Sequence, residues 1–138
     1  MTMKAKFSAL LAAALLVLPT AAAAQPTPTD QAYLDDLYRF LQTQDATTYS
    51  MATQTMSPEQ NIWAAKTFCQ TFSAGVSPSD AYAAYLSRAI GSSALTESRL
   101  TDEMAYAVGL YGGTVMNLGA SYYCPQYQLQ VEQALQSL

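Results

Sequence analysis

The chain has 138 residues, of which 51% are hydrophobic and 12% are charged, with six basic residues, ten acidic residues and no histidine. This length corresponds to one domain, at roughly 100–200 residues per domain. The net charge of −4 argues against nucleic-acid binding, which requires a basic patch. The lack of histidine excludes a Ser-His-Asp triad, a Cys-His pair, most zinc sites and His-ligated haem. We expect no catalytic residues, no metal site and no cofactor.

The first 24 residues have the three parts of a signal peptide. Lys4 and Lys6 precede an apolar run from Phe7 to Leu18, and small residues lead to Ala24. A helix made from that run spans about 18 Å, which is too short for a bilayer core near 30 Å. We therefore predict cleavage after Ala24 and export to the periplasm, the cell envelope or the exterior.

The helical domain is predicted over residues 30–125, after a proline-spaced leader at 25–29 that we expect to be disordered. Its first helix begins with Thr29 or Asp30 as the N-cap. An apolar stripe at helical spacing follows, formed by Leu34, Leu37, Tyr38 and Leu41. The polar stretch 43–56 shows no clear period, so we predict a loop there with at most one short turn.

Two further helices are predicted from the same start pattern, in which a serine cap precedes a proline and a polar residue lies at the third helical position. The two patterns are Ser57-Pro58-Glu59-Gln60 and Ser77-Pro78-Ser79-Asp80. Gly75 is a natural residue to follow the end of the first helix, and Gly91 ends the second. A polar connector from Ser92 to Leu100 leads to the next cap, Thr101.

The fourth predicted helix runs from Asp102 to about Tyr123 and is apolar nearly all round, which indicates a central, buried position. One of its two stripes consists mostly of small residues: Ala105, Gly109, Gly112, Met116 and Gly119. Each glycine costs up to about 1 kcal/mol relative to alanine. We therefore expect this stripe to contact the backbone of a neighbouring helix.

Taken together, the segments predict an all-α fold, a small bundle of four main helices around a central Gly/Ala-rich helix. Residues 126–138 are predicted to form a short helical or frayed tail. The hydropathy of the fourth helix is lowered by its tyrosine, asparagine, glycine, serine and threonine residues. Membrane-spanning helices, in contrast, are dominated by Leu, Ile, Val and Phe. We expect no stable membrane span.

The two cysteines, Cys69 and Cys124, are predicted to form a disulfide, because two cysteines in an exported chain pair with each other by default. A reactive thiol would need a cationic neighbour or a C-x-x-C partner. The carboxylate pairs Asp35-Asp36 and Asp102-Glu103 point about 100° apart on a helix, so they are more simply solvated charges than an acid–base pair.

Tyrosine is the one residue type in clear excess, with ten in the chain. Tyr82, Tyr85, Tyr106 and Tyr111 are candidates to line a groove for an amphipathic ligand, and a tyrosine oxygen can also ligate haem iron. The alternative is that the rings fill a small core and the hydroxyls reach water. Helical spacing favours this packing interpretation.

Three features together carry a family resemblance. They are a first helix with Leu34, Leu37, Phe40 and Leu41, a cysteine helix with Cys69 before Gly75 and Ser77, and the ending Tyr123-Cys124-Pro125. The layout resembles the domain of unknown function family seven-three-two, small exported helical domains with two paired cysteines, from Asp30 to Pro125. The resemblance implies a helical fold, a pairing of Cys69 with Cys124, and Pro125 as helix terminator. It implies no activity.

On function, we expect an exported, non-enzymatic domain that binds a protein partner or a small amphipathic ligand in the cell envelope. The alternative is a purely structural or interaction module of the envelope without a ligand pocket.

Overall fold

A computed structural model describes residues 25–91 and 101–138, which form six α-helices. These are α1 (Pro28–Gln44), α2 (Ala46–Ser50), α3 (Pro58–Ser73), α4 (Pro78–Gly91), α5 (Asp102–Tyr123) and α6 (Gln128–Gln136). A π-helical turn (Met51–Thr55) follows α2, and a 3₁₀ turn (Pro125–Tyr127) precedes α6. The described residues contain no strand, so the all-α prediction is confirmed, whereas four main helices become six. The predicted signal peptide (1–24) and connector (92–100) lie outside the described residues.

Helix α1 begins earlier than the sequence analysis predicted, with Thr27 as its N-cap. The Thr27 Oγ1 accepts a hydrogen bond from the Asp30 backbone N–H at 3.1 Å, and the Asp30 carboxylate accepts one from the Thr27 N–H at 3.0 Å. Pro28 occupies the first turn of the helix. The N–H groups of that turn have no acceptor within the helix, so the missing N–H of proline costs no hydrogen bond. The prediction of Thr29 or Asp30 as the cap is therefore wrong, because Asp30 is the third residue of a capping box.

The stretch 43–56, predicted to be a loop, is mostly helical. The Asp45 carboxylate caps α2 by accepting hydrogen bonds from the Thr48 backbone N–H at 2.9 Å and from its hydroxyl at 2.6 Å. Thr48 and Ala52 are fully buried. The loop prediction is wrong because a side-chain cap and tertiary burial stabilise these turns, which have no apolar period of their own.

The predicted starts of α3 and α4 are confirmed. Ser57 Oγ accepts from the Gln60 N–H at 3.1 Å, and the Gln60 Oε1 accepts from the Ser57 N–H at 2.8 Å. At α4, Ser77 Oγ accepts from the Asp80 N–H at 3.2 Å. Gly75, with a φ of +94°, adopts the left-handed conformation that lets the chain leave α3.

Helix α5 is central, as predicted, and packs against each of the other five α-helices. At Gly119 a Cβ atom would lie 3.0 Å from the Ala65 Cβ and 3.2 Å from the Ala65 Cα, so α5 approaches the backbone of α3 there. At Gly112 a Cβ would lie 2.0 Å from the Tyr85 Cε1. The expected backbone contact is thus confirmed at Gly119, but at Gly112 the neighbour is an aromatic ring.

The predicted disulfide is present and joins Cys69 on α3 to Cys124 at the end of α5, with their Cα atoms 5.8 Å apart. Both cysteines are buried in the main hydrophobic core. No helix in the described part of the chain has the length and apolar character that a membrane crossing requires.

Candidate functional site

A groove of about 290 Å³ runs along α5, and we call it the α5 groove. Gly109 and Gly113 form its floor, and its walls come from α1, α4 and the C-terminal segment through Phe40, Tyr82 and Leu135. Further apolar lining comes from Leu110, Leu118 and Leu138. None of the described side chains that line it carries a charge. The groove is therefore an apolar concavity built from four separate parts of the chain.

The groove floor is open because two glycines lie where alanine would fit. A Cβ on Gly109 would have the Tyr82 hydroxyl oxygen as its nearest neighbour, at 3.4 Å, and one on Gly113 would lie 3.5 Å from the Leu135 Cδ2. Both are ordinary van der Waals distances, unlike the clash at Gly112. Packing thus requires glycine at Gly112 but not on the groove floor, where the missing methyl groups deepen the cavity.

Two polar side chains line the α5 groove and differ in what they offer a ligand. The Thr114 hydroxyl donates to the Leu110 carbonyl at 2.7 Å, so its proton is already used. The Asn117 Oδ1 accepts from the Gln128 Nε2 at 2.8 Å, which fixes the orientation of the amide. The Asn117 Nδ2 has no hydrogen-bond partner among the described residues, so it can donate to a ligand oxygen.

Tyr82 is the one predicted tyrosine that lines the groove. Its hydroxyl donates to the Gly109 carbonyl at 2.8 Å, across the groove floor. Burial raises the pKa of Tyr82 above its ordinary value, so the phenol stays neutral near pH 7. The ring is consequently a fixed, uncharged wall.

The other three candidate tyrosines lie outside the groove lining. The Tyr85 hydroxyl donates to the Val108 carbonyl at 2.7 Å, and the Tyr111 hydroxyl donates to the Asn61 Oδ1 at 2.6 Å. Burial raises the pKa of both phenols, and neighbouring tyrosines add to the shift. Tyr106 is 58% exposed on the surface of α5. The structure does not bring the four candidates together at one site.

Three of the four carboxylates in the acidic pairs have partners within the protein. Asp35 accepts a hydrogen bond from Gln31 of the same helix at 3.0 Å. Asp36 forms an ion pair with Arg39 at 3.2 Å and accepts a hydrogen bond from the Tyr122 hydroxyl. Glu103 accepts a hydrogen bond from the Thr47 hydroxyl. Within residues 25–91 and 101–138, no group of three or more acidic or cysteine side chains is placed to hold a metal ion.

Comparison with known families matches residues 29–126 to the family described as "Protein of unknown function (DUF732)". The chain belongs to this family. The match confirms the resemblance predicted from the three helical features and the two cysteines. Comparisons with curated proteins and with solved structures found no match.

The sequence pattern of this DUF732 protein did not single out Asn61, a fully buried side chain that organises the core. Its Nδ2 donates to the Ala52 carbonyl at 2.9 Å and to the Tyr38 hydroxyl at 3.2 Å, and its backbone carbonyl accepts from Tyr33 at 2.9 Å. A signal was present, because Asn61 continues the helical spacing of the buried residues Ala65, Phe68 and Phe72.

Two walls of the groove, Phe40 and Leu135, were also missed, whereas Tyr82 was a predicted groove residue. Phe40 lies off the buried stripe of α1 and is 43% exposed. The sequence signal for Phe40 was an aromatic residue outside the apolar stripe of α1.

Proposed function

We propose that this DUF732 protein is an exported, non-enzymatic domain that binds a small amphipathic molecule in the α5 groove. The observation that carries the proposal is an apolar cavity whose floor consists of two glycines that packing does not require. A glycine inside a helix destabilises it by roughly 0.5–1 kcal/mol relative to alanine. A ligand that occupies the space would offset this cost through its contacts with the groove.

The lining defines the chemistry of the ligand. Phe40, Leu135 and Tyr82 would contact its apolar part, since burial of apolar surface contributes about 25 cal/mol per Å². The Asn117 Nδ2 would donate to an oxygen of its polar end. The described side chains of the lining carry no charge, which favours a neutral polar group. A cavity of about 290 Å³ lies at the lower end of ligand pockets and suits a single short chain or ring.

Two observations support the exported and non-enzymatic parts of the proposal. The N-terminal 24 residues have the pattern of a cleaved signal peptide, and disulfides such as Cys69–Cys124 persist in oxidising compartments. The carboxylates of Asp36 and Glu103 accept hydrogen bonds from Tyr122 and Thr47, and neither residue lines the groove.

Alanine at Gly113 should narrow the groove and leave the fold intact. The added methyl group would occupy the floor at an ordinary distance from Leu135, and the helix would gain up to about 1 kcal/mol. We expect Gly113→Ala to raise the melting temperature and to weaken binding of 1-octanol, a neutral amphipathic probe, at least about tenfold. Isothermal calorimetry and a thermal melt measure the two effects.

Ser121→Ala is the matched control, because Ser121 is exposed on the same helix and does not line the groove. It should leave the affinity for 1-octanol unchanged. If the wild-type protein does not bind 1-octanol, or if Gly113→Ala binds it equally well, the groove proposal is wrong. Either result would favour the alternative, an interaction module without a ligand pocket.

A further inference from the structure

A second cavity, of about 430 Å³, lies where the chain enters α1 beside the first turns of α3. We call it the Trp63 cavity, and its lining includes Gln25, Pro26, Glu59, Trp63 and Lys66. It shares no lining residue with the α5 groove. Any ligand it binds would therefore be independent of the function proposed for that groove.

Trp63 dominates this cavity and is 68% exposed. Its neighbour Ile62 is buried in the core, so α3 directs Trp63 outward at a position where the core gains little from it. An indole ring offers a broad flat apolar face at low conformational-entropy cost. Pro26 adds a second apolar ring to the lining.

Two of the three charged side chains that line the Trp63 cavity, Asp30 and Lys66, neutralise each other. The Lys66 Nζ lies 3.7 Å from the Asp30 Oδ1 and 5.4 Å from the centre of the Tyr123 ring. Burial by itself raises the pKa of Asp30, but hydrogen bonds from Tyr123 and Thr27 and the charge of Lys66 outweigh it and lower the pKa. Asp30 and Lys66 therefore form a compensated pair rather than a free charge.

The remaining polar groups around the indole include both hydrogen-bond donors and hydrogen-bond acceptors. Glu59 is exposed and offers carboxylate oxygens as acceptors. The Gln60 Oε1 is held by the Ser57 N–H at 2.8 Å, which leaves the Gln60 Nε2 as a donor. The Gln25 amide adds one more group of each kind. The cavity thus combines one flat apolar face with a rim of mixed hydrogen-bonding groups.

We propose that the Trp63 cavity binds a neutral saccharide, with one pyranose ring stacked on the Trp63 indole. A pyranose whose hydroxyls are equatorial has apolar C–H faces and an edge of hydroxyls that both donate and accept. Its apolar faces can stack on the indole, and its hydroxyls can form hydrogen bonds with Glu59, Gln25 and Gln60. A quaternary cation fits less well, because aromatic cages use several rings and Lys66 lies one turn away on α3.

Trp63 is the only tryptophan in the chain, so its fluorescence reports on this cavity alone. Cellobiose is the probe, because its equatorial hydroxyls leave both ring faces apolar. We expect a saturable shift of tryptophan emission with cellobiose and none with mannitol, which has hydroxyls but no flat face. No shift with cellobiose, an equal shift with mannitol, or a shift with choline chloride alone would overturn the proposal.

Variants separate binding from folding. Trp63→Ala should weaken cellobiose binding at least about tenfold in calorimetry and leave the melting temperature and 1-octanol binding unchanged, because the ring is exposed and outside the α5 groove. Tyr106→Ala, which truncates an exposed aromatic ring on another helix, is the matched control and should bind cellobiose as the wild type does. Equal affinity in the Trp63→Ala variant would also overturn the proposal.

Discussion

Several tyrosines are held in place by hydrogen bonds from their hydroxyl groups. Tyr33 and Tyr111 both donate to Asn61, and Tyr85 donates to a backbone carbonyl of α5. Tyr123 donates to the Asp30 carboxylate at 2.5 Å. These hydroxyls donate to protein groups, and those of Tyr33 and Tyr111 belong to a hydrogen-bonded network centred on Asn61.

Removing one hydroxyl from this network should destabilise the fold. Tyr111→Phe leaves the buried Asn61 Oδ1 without its donor, and an unsatisfied buried acceptor costs about 1–3 kcal/mol. We expect the free energy of unfolding in urea to fall by about that amount. Tyr106→Phe is the matched control: its ring is exposed, so a change within about 0.5 kcal/mol is expected. Equal losses in the two variants would contradict the role of Asn61.

At the scale of the helices, the start of α3 was predictable from a local signal, whereas α2 was not predictable. The Ser57 box lies within four consecutive residues, so the sequence alone determines the start of α3. The same pattern, Thr27-Pro28-Thr29-Asp30, opens α1, but its two prolines suggested an extended leader. Helix α2 escaped prediction because the burial of Thr48 depends on distant parts of the chain.

Adjacent glycines of α5 should respond in opposite directions to the same substitution. Gly112→Ala places a methyl group 2.0 Å from the Tyr85 Cε1, so the ring must move and strain its hydrogen bond to Val108. Overpacking of this kind costs about 1–3 kcal/mol. We expect Gly112→Ala to lower the free energy of unfolding by that amount in urea titrations, whereas Gly113→Ala raises it.

A double-mutant cycle tests the assignment of this cost to Tyr85. Gly112→Ala should destabilise the Tyr85→Leu background by less than the wild type, because the smaller side chain relieves the clash. The same loss in both backgrounds would show that Tyr85 is not the obstacle.

At the scale of the whole molecule, the candidate sites lay beyond sequence analysis because distant segments build them. Phe40 of α1 and Leu135 of α6 both line the α5 groove. No local sequence pattern specifies that two such distant residues lie in one site. The disulfide was predictable, since the chain offers only one pair of cysteines. Which side chains end up next to Trp63 depends on how α1 packs on α3.

The fold should depend strongly on the disulfide. Cys69 and Cys124 are 55 residues apart in sequence, and closing such a loop contributes about 4 kcal/mol. Whole domains are stable by 5–15 kcal/mol, so the share is large. We expect reductant to lower the melting temperature sharply, and the Cys69→Ala/Cys124→Ala variant to melt like the reduced protein. Superimposed melts with and without reductant would contradict this prediction.

The Cys69–Cys124 disulfide also changes the consequence of a single cut in the backbone. All of α4 and α5 lies between the bonded cysteines, whereas α1 and α6 lie outside that loop. A protease that cuts once between Cys69 and Cys124 produces a two-chain molecule whose parts remain covalently tethered. Reassembly of such a nicked molecule is intramolecular, so its rate does not depend on dilution.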